Sequence, residues 1–566
     1  KGSLSDMRIP VTLQDSLMAR LDRMPTLREV MQLGAVIGRE FAYEMLRSLA
    51  VVDEPVLQDG LGQLVEHELL YQRGRPPRAR YIFKHALIQD AAYQSLLKRT
   101  RQQYHQQVAE LLEERFPETV AAHPELVAHH YGEAGCTEEA IKYLQEAGQI
   151  ALGRSANVEA MTHFNRSLEL LAHLTETPKR DERELKMQMA LGPAVVAARG
   201  FADPGVGRAY ARAWELCQRL EDNVNLPLVL RGRQVFHLAS GELNKAREFA
   251  KQFLDLAERQ QDPALLVGSC HALGQTLFLL GDLIGARKVV EQGITVFDPG
   301  QHRLPNWPGG QPGEQCYLYD AFALWMLGYP DQALRRSEQA LAMANELANP
   351  VNLVNTFAFV AHLHVLRRDL SAARQRAEAT MEIGTEQRHS FFLGHGTVLH
   401  GWALVSQDQN EDGLAEIDQG LTIFRATGAR SWIPHFLGLQ AEAYGRAKRA
   451  DDGLASAAEA LELTEKTMER CWQAELNRIK GELLLAVSSE NHVEAESCFS
   501  QALNIAARQQ AKSWELRAAI SLSRLWQRQS KQAEARELLA SVYDWFTEGF
   551  DTADLKEAKA LLRELS

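Results

Sequence analysis

The sequence predicts an all-α protein in which a small helical module carrying one β-hairpin precedes a solenoid of stacked helical hairpins. Three observations lead there. A phrase of small residues recurs about every 40 positions from residue 225 onward. Apolar residues keep helical spacing through nearly all of the 566-residue chain, and only residues 69–83 break into short extended runs. Apolar residues make up 45% and charged residues 24%, a balance that permits a buried core.

The N-terminal elements come in order. Leu13–Leu21 places Leu13, Leu17, Met18 and Leu21 on one helical face. Pro25 opens a second helix through Val36, in the first turn where proline is tolerated. Phe41–Leu49 and Glu54–His67 read as two more helices. Leu69–Gln72 and Ala79–Phe83 then flank Arg73-Gly74-Arg75-Pro76-Pro77-Arg78, which predicts a β-hairpin. Helices, a hairpin and a further helix are the order of a winged helix, so residues 1–116 are assigned as a winged-helix-like module.

Linking helical hairpins are expected over 117–222. Leu126–Ala151 carries Ala128, Tyr131, Ala140, Leu144 and Ala147 at hairpin positions. Asn157–Leu174 and Val206–Leu220 read as further helices, with Gly200–Gly205 a helix-breaking join.

The solenoid is expected over 223–550. A small residue near the start of each second helix falls at Ala246, Ala286, Ala333, Ala373, Gly413, Gly453, Ala495 and Ala535. Twelve residues earlier another recurs at Gly274, Ala321, Ala361, Gly401, Ala441 and Ser523, and Gly481 fits if its repeat holds two extra residues. Two antiparallel helices approach closely only where side chains are small. Such hairpins cannot bury their apolar faces alone and must stack. Leu280–Asp282, Leu327–Asp331, Arg367–Asp369 and Ala450–Asp452 are expected as polar turns. Asp298–Gln315, with four prolines, four glycines and Trp307, is expected to be a loop, either a tolerated insertion or a lid. Residues 551–566 supply a capping helix, Asp554–Leu565.

This small–aromatic–small logic resembles the tetratricopeptide repeat, with a period of 40 instead of 34. Tyr81–Leu97 and Ile9–Asp22 resemble the stretch that follows the ATPase core in bacterial signal-transduction ATPases with numerous domains. Trp545–Lys559 resembles the end of fusions in which a class III adenylate/guanylate cyclase and an AAA-type ATPase precede a tetratricopeptide array. The resemblance implies a regulatory and interaction region of a signalling ATPase–nucleotide cyclase. Its solenoid would bind a protein, a peptide or a small effector, and its partners in cis would be the upstream ATPase and cyclase domains. The resemblance also implies that His85, at the start of a helix after the second hairpin strand, reports the state of a bound nucleotide. ATP or ADP and Mg would then belong to that upstream domain, with no cofactor in this chain.

Other readings of the residues bear on this one. The sequence contains no GxxxxGK[ST] phosphate loop and no cyclase segment, so no enzyme activity is expected. The chain opens on Lys1 without a signal-peptide pattern or an 18-residue apolar run, which suggests a piece of a longer cytoplasmic protein without membrane segments. Six scattered cysteines without CxxC suggest reduced thiols. His129–His130, His362/His364 and His389/His395/His400 lack a matching ligand set, and no metal site is expected. Trp402, Trp432, Trp472, Trp514 and Trp526 are expected in the core.

Residues 1–116 hold 16 basic and 15 acidic residues, net +1, and the rest is net −13. Arg73, Arg75, Arg78, Arg80, Lys84, Lys98, Arg99 and Arg101 stand against the single acid Asp90. The alternative is therefore a transcription regulator whose winged helix reads DNA while the repeats sense an inducer. The groove-helix candidate EPVLQDGLGQLVEH carries three carboxylates and no Arg or Lys, so nucleic acid is not the expected partner.

Overall fold

The computed structural model describes residues 25–302, 307 and 310–566. The expected helix Leu13–Leu21 and the stretch Ile9–Asp22 lie outside the described residues. The chain divides into two compact units, 1–187 and 188–566. Among the described residues, no helix is long and apolar enough to cross a membrane.

The first unit opens with α1 (Pro25–Ile37), β1 (Glu40–Ala42), α2 (Tyr43–Leu49), α3 (Glu54–Glu66), β2 (Leu70–Arg73), β3 (Arg80–Phe83) and α4 (Ala86–Gln94). The strands form one antiparallel sheet in the order β1-β3-β2, with Phe41 opposite Tyr81 and Leu70 opposite Phe83. Phe41 thus belongs to a third strand, not to the helix expected from Phe41 onward. The strand buries Phe41 against Tyr81 and Phe83, at centroid distances of 5.9 and 5.8 Å. Leu27, Met31, Leu46, Leu57, Leu61 and Leu64 complete this core from the helices. Five more helices follow, α5 (Lys98–Arg115), α6 (Pro117–Ala122), α7 (Pro124–Ala134), α8 (Thr137–Gly153) and α9 (Asn157–Ala172). The boundary between units falls within α10 (Pro178–Arg199), inside the stretch assigned to linking hairpins.

After α11 (Pro204–Leu220) come eight helical hairpins. They are α12 (Leu226–Ala239) with α13 (Leu243–Gln260), α14 (Pro263–Leu279) with α15 (Leu283–Val296), α16 (Pro312–Met326) with α17 (Pro330–Leu347), and α18 (Pro350–Leu366) with α19 (Leu370–Glu386). Then follow α20 (Ser390–Val405) with α21 (Asn410–Ala426), α22 (Ile433–Arg446) with α23 (Ala450–Thr467), α24 (Gln473–Val487) with α25 (His492–Gln509), and α26 (Lys512–Arg528) with α27 (Gln532–Tyr543). Helix α28 (Ala553–Glu564) buries Leu555, Ala558 and Leu561 against the last hairpin. The architecture is a tetratricopeptide-like α-solenoid.

Each of the eight second-helix small residues is the fourth residue of its helix, and each is buried. Their partners on the first helices lie where the twelve-residue spacing puts them. A Cβ on Gly401 would meet the Gly413 carbonyl, and Ser523 Oγ donates to the Ala535 carbonyl at 3.0 Å. Gly481 faces Phe499, and the two extra residues of that repeat fall in the 3-10 turn Ser489–Asn491.

The connection within seven of the hairpins is one repeated turn. The residue five before the small position has a positive φ: Gly241, Gly281, Gly328, Arg368, Asp408, Lys448 and Ser530. The next N–H then reaches back to the carbonyl five residues upstream, as Asp282 does to Leu277 and Arg449 to Tyr444. This closes the first helix and aims the second back along it. Residues Ala450–Asp452, expected as a turn, are therefore the first turn of α23, and Lys448 makes the reversal. Pro312–Gln315 likewise begin α16 and are not loop.

First helices are buried nearly all round, whereas second helices bury one stripe. The cause is superhelical closure. The turn at Gly241 packs on Arg430 and Thr467, that at Gly281 on Arg470 and Gln509, and that at Gly328 on Lys512 and Trp545. Each of the first three hairpins thus touches the chain about five hairpins later. Trp325 meets Trp514 edge-on at 4.7 Å, and Arg517 joins Glu475, Asp554 and the Leu366 carbonyl. The inner groove is consequently filled by the chain's own rings, with Phe322, Phe359, His362, Trp432 and Trp472 in mutual contact. Trp402, Trp432, Trp472 and Trp514 are core residues, and Trp526 is partly buried.

Candidate functional site

A cavity of about 60 Å³ remains inside the second unit. It opens where the first superhelical turn closes on itself. The Arg430 N–H donates to the Ala239 carbonyl at 2.7 Å, and Ser431 Oγ donates to the Leu238 carbonyl. Trp432 follows with φ of +74°, a strained region for a bulky residue. Both carboxylate oxygens of Glu469 accept the Trp432 N–H at 3.0 Å, and Trp472 Nε1 donates to Oε1 at 2.8 Å. Glu469 is fully buried, and burial pushes its carboxyl up to about 8 despite those donors.

The cavity walls are aromatic and aliphatic, with Phe359, Phe391, Phe392 and Trp432 prominent. Phe201 lines the cavity from the join before α11 and packs edge-on against Phe391 at 5.6 Å. Gly200 permits this path: its φ is +100°, and an added Cβ would lie 3.1 Å from the Thr427 carbonyl.

A small polar set faces the same space from α12, α14 and α16. Arg231 is 1% exposed, and its Nη1 donates to Gln234 at 2.5 Å and to Gln275 at 3.5 Å. Burial lowers its basicity to about 10, which leaves it charged at neutral pH. His271 is 1% exposed, and neither ring nitrogen has a hydrogen-bond partner. Burial, aided by the Arg231 charge, holds it far below the ordinary histidine range, hence neutral. Gln315 is as deeply buried, and its Nε2 has no partner. None of these three stood out in the sequence, although Arg231 interrupts the apolar run LPLVLRGRQVFHLA.

Trp307 does not cover this cavity. It is buried against Phe253, 5.9 Å between centroids, with Arg231 5.5 Å from its ring. The described part of the long insertion therefore anchors in the core.

His85 is the N-cap residue of α4, exposed, with no side-chain capping bond. On the neighbouring hairpin Arg73, Arg75 and Arg78 are exposed, whereas Arg80 pairs with Glu40 at 3.0 Å and Lys84 with Glu68 at 2.9 Å. Gln58 and Gln63, the two glutamines of α3, are engaged by Tyr43 and Glu54 and by Asp59.

The histidines highlighted by sequence fall into separate environments. His130 bonds His105 at 2.8 Å, and His362 bonds His395 at 3.1 Å. His400 lies between Glu378 and Glu416, carboxylates the sequence spacing did not reveal. Among the described residues, no group of three or more His, Cys, Asp or Glu is arranged to hold a metal ion.

No family model matches the chain. An uncharacterized protein of Rhizobium meliloti (strain 1021) is 23% identical over 515 residues, covering 90% of this chain and 50% of that protein. The chain thus spans about half the length of the curated relative it matches. Among solved structures, it is similar to a Rap protein complexed with competence and sporulation factor, at 12% identity and a TM-score of 0.48, over 66% of this chain and 99% of that one. Yeast Tom70 is similar at 15% identity and a TM-score of 0.32, over 79% and 96% of the two chains. A signal transduction ATPase with numerous domains carrying a tetratricopeptide repeat sensor, from Pyrococcus horikoshii, is similar at 12% identity and a TM-score of 0.29, over 95% of this chain and 65% of that one.

Proposed function

We propose that this chain is the effector-sensing regulatory region of a signalling ATPase, in a protein that also carries a nucleotide cyclase. The observation that carries the sensor reading is the cavity, where aromatic walls and unpartnered buried donors meet at the closure of a superhelical turn. A ligand there contacts both sides of that closure, so its binding energy differs between closed and open forms. Such a difference is what shifts a two-state equilibrium. The filled inner groove favours a small effector over a long peptide.

Residues 1–116 of the first unit, read as a winged-helix-like module, are then the coupling element. His85 stands exposed at a helix N-terminus, where backbone N–H groups favour anions, beside exposed arginines. That suits contact with a nucleotide phosphate in an upstream ATPase domain. The transcription-regulator reading is disfavoured because Gln58 and Gln63 are held by neighbouring side chains.

The test is ATP turnover of the protein expressed with its upstream sequence, comparing wild type with His85→Ala and with Phe391→Ala. Both variants are expected to change turnover several-fold. Unaltered turnover in both would overturn the coupling reading. Sequence-selective, submicromolar DNA binding by the intact chain at moderate salt would promote the regulator reading instead.

A further inference from the structure

We propose that His105 and His130 form an acid-released latch, which joins residues 1–116 to the rest of the first unit while both rings are neutral and lets go when both take up a proton. The latch lies wholly within the first unit and does not rest on the sensor reading.

The two rings meet through like atoms. His105 Nδ1 on α5 stands 2.8 Å from His130 Nδ1 on α7, and the two residues are 1% and 5% exposed. A hydrogen bond there needs one N–H and one lone pair, so one Nδ1 carries a proton and the other does not. His105 Nε2 lies 2.9 Å from the Tyr93 hydroxyl of α4, which also reaches Glu133 of α7 at 3.3 Å. With Tyr93 donating to Glu133, His105 Nε2–H donates to the Tyr93 oxygen, and His105 Nδ1 accepts from His130. The chain Glu133–Tyr93–His105–His130 is then complete with both histidines neutral, and it ties α4, α5 and α7 together. A first added proton can sit on Nε2 of His130 and leave the bond between the rings in place. A second makes His105 Nδ1 a donor as well, and two N–H groups then point at each other between two cations.

The surroundings resist those charges. The contact of α5 with α7 shares a core of Val108, Leu112, Val127 and Tyr131. Burial holds both rings well below the ordinary histidine value of 6.5. For His105, the exposed His129 and Arg101 press the same way and Glu133 opposes them. For His130, the other two histidines add to the effect of burial. No charged side chain of α1, α2, α6 or α8, the other helices packed on α5 and α7, acts on either ring. Once α5 and α7 part, both rings are in water and titrate near 6.5. Below that pH the open form binds more protons than the closed form, so opening becomes easier as pH falls. Above it neither form is charged, and the latch holds at full strength.

The experiment is hydrogen exchange of the full chain, read by mass spectrometry at pH 7.5 and 5.5, with each rate divided by the intrinsic rate at that pH. The opening equilibrium of α5 and α7 is expected to rise about 100-fold between the two conditions, ten-fold for each histidine that charges only when open. His130→Asn places an amide nitrogen near the former Nδ1 but does not titrate, and should cut the rise to about ten-fold. His129→Gln, on the exposed neighbour, should leave it unchanged. A wild-type rise below about three-fold would overturn the latch, and that result needs no variant to fold. A rise as large in His130→Asn as in wild type would overturn the assignment to this pair.

Discussion

Gly401 and Gly413 face each other so closely that a Cβ on either would fall 2.6 Å from the other's carbonyl oxygen. The obstacle is backbone, which cannot rotate away as a side chain can. Gly401→Ala is therefore expected to destabilise the second unit by about 1–3 kcal/mol, despite alanine's better helix propensity. Gly62, exposed in α3 with nothing within 4 Å of an added Cβ, is the control. Gly62→Ala should stabilise the first unit by about 0.5–1 kcal/mol. Calorimetric melting of both variants reads the two effects.

Ala373 and Arg374 test the same register by side-chain size. Ala373 is fully buried at the close helix contact, whereas the Arg374 side chain is 40% exposed and pairs with Glu378. Ala373→Trp should cost about 1–3 kcal/mol or more. Arg374→Ala should stay within about 1 kcal/mol. Equal melting temperatures would refute the register.

The repeated turn gives opposite expectations at two equivalent positions. Lys448 is exposed with φ of +60°, so Lys448→Gly should stabilise by about 1 kcal/mol through relief of backbone strain. Arg368 has φ of +56° and pairs with Asp554 at 3.2 Å and Glu557 at 3.1 Å. Arg368→Gly should destabilise, because two carboxylates lose a half-buried partner. Urea titration of the two variants gives the signs.

Much of this was legible in the sequence. A small residue every 40 positions reports backbone approach, which only small side chains permit, so Ala246 through Ala535 located the hairpins. Strand β1 was not legible because three residues, Glu40–Ala42, give no window for alternation. Nor was the cavity. Its polar lining comes from helices tens of residues apart, one or two groups per helix, and each looks like an ordinary helical polar residue until stacking buries it. The closure of the superhelix leaves no periodic trace at all, since Arg368 and Glu557 are 189 positions apart.

Glu469 makes a prediction in pH. Its folded value, about 8, lies above the ordinary 4.5 because it is buried. The folded chain therefore holds a proton that the unfolded chain has released, and stability falls as pH rises from about 4.5 through 8. Glu469→Gln keeps an acceptor for Trp432 and Trp472 but removes that titration. Its melting temperature should match wild type near pH 5 and exceed it at pH 8.5. Glu314, also pushed up to about 8 by burial, keeps a falling slope in the variant, and the buried histidines His130, His395 and His435, held at about 3, oppose it below about pH 6.5. A difference between the two melting temperatures that stays constant from pH 5 to 8.5 would refute this.

The packing of the first three hairpins on the chain five hairpins later separates this array from a simple linear one. In a simple array each unit meets only its neighbours, so units can be lost or duplicated with local consequences. Here the turn at Gly281 must meet Gln509, and the turn at Gly328 must meet Trp545. Deleting a middle hairpin would put every later partner out of register. The number of hairpins is thus fixed by geometry, and such a protein can diversify by substitution but not by gaining or shedding repeats.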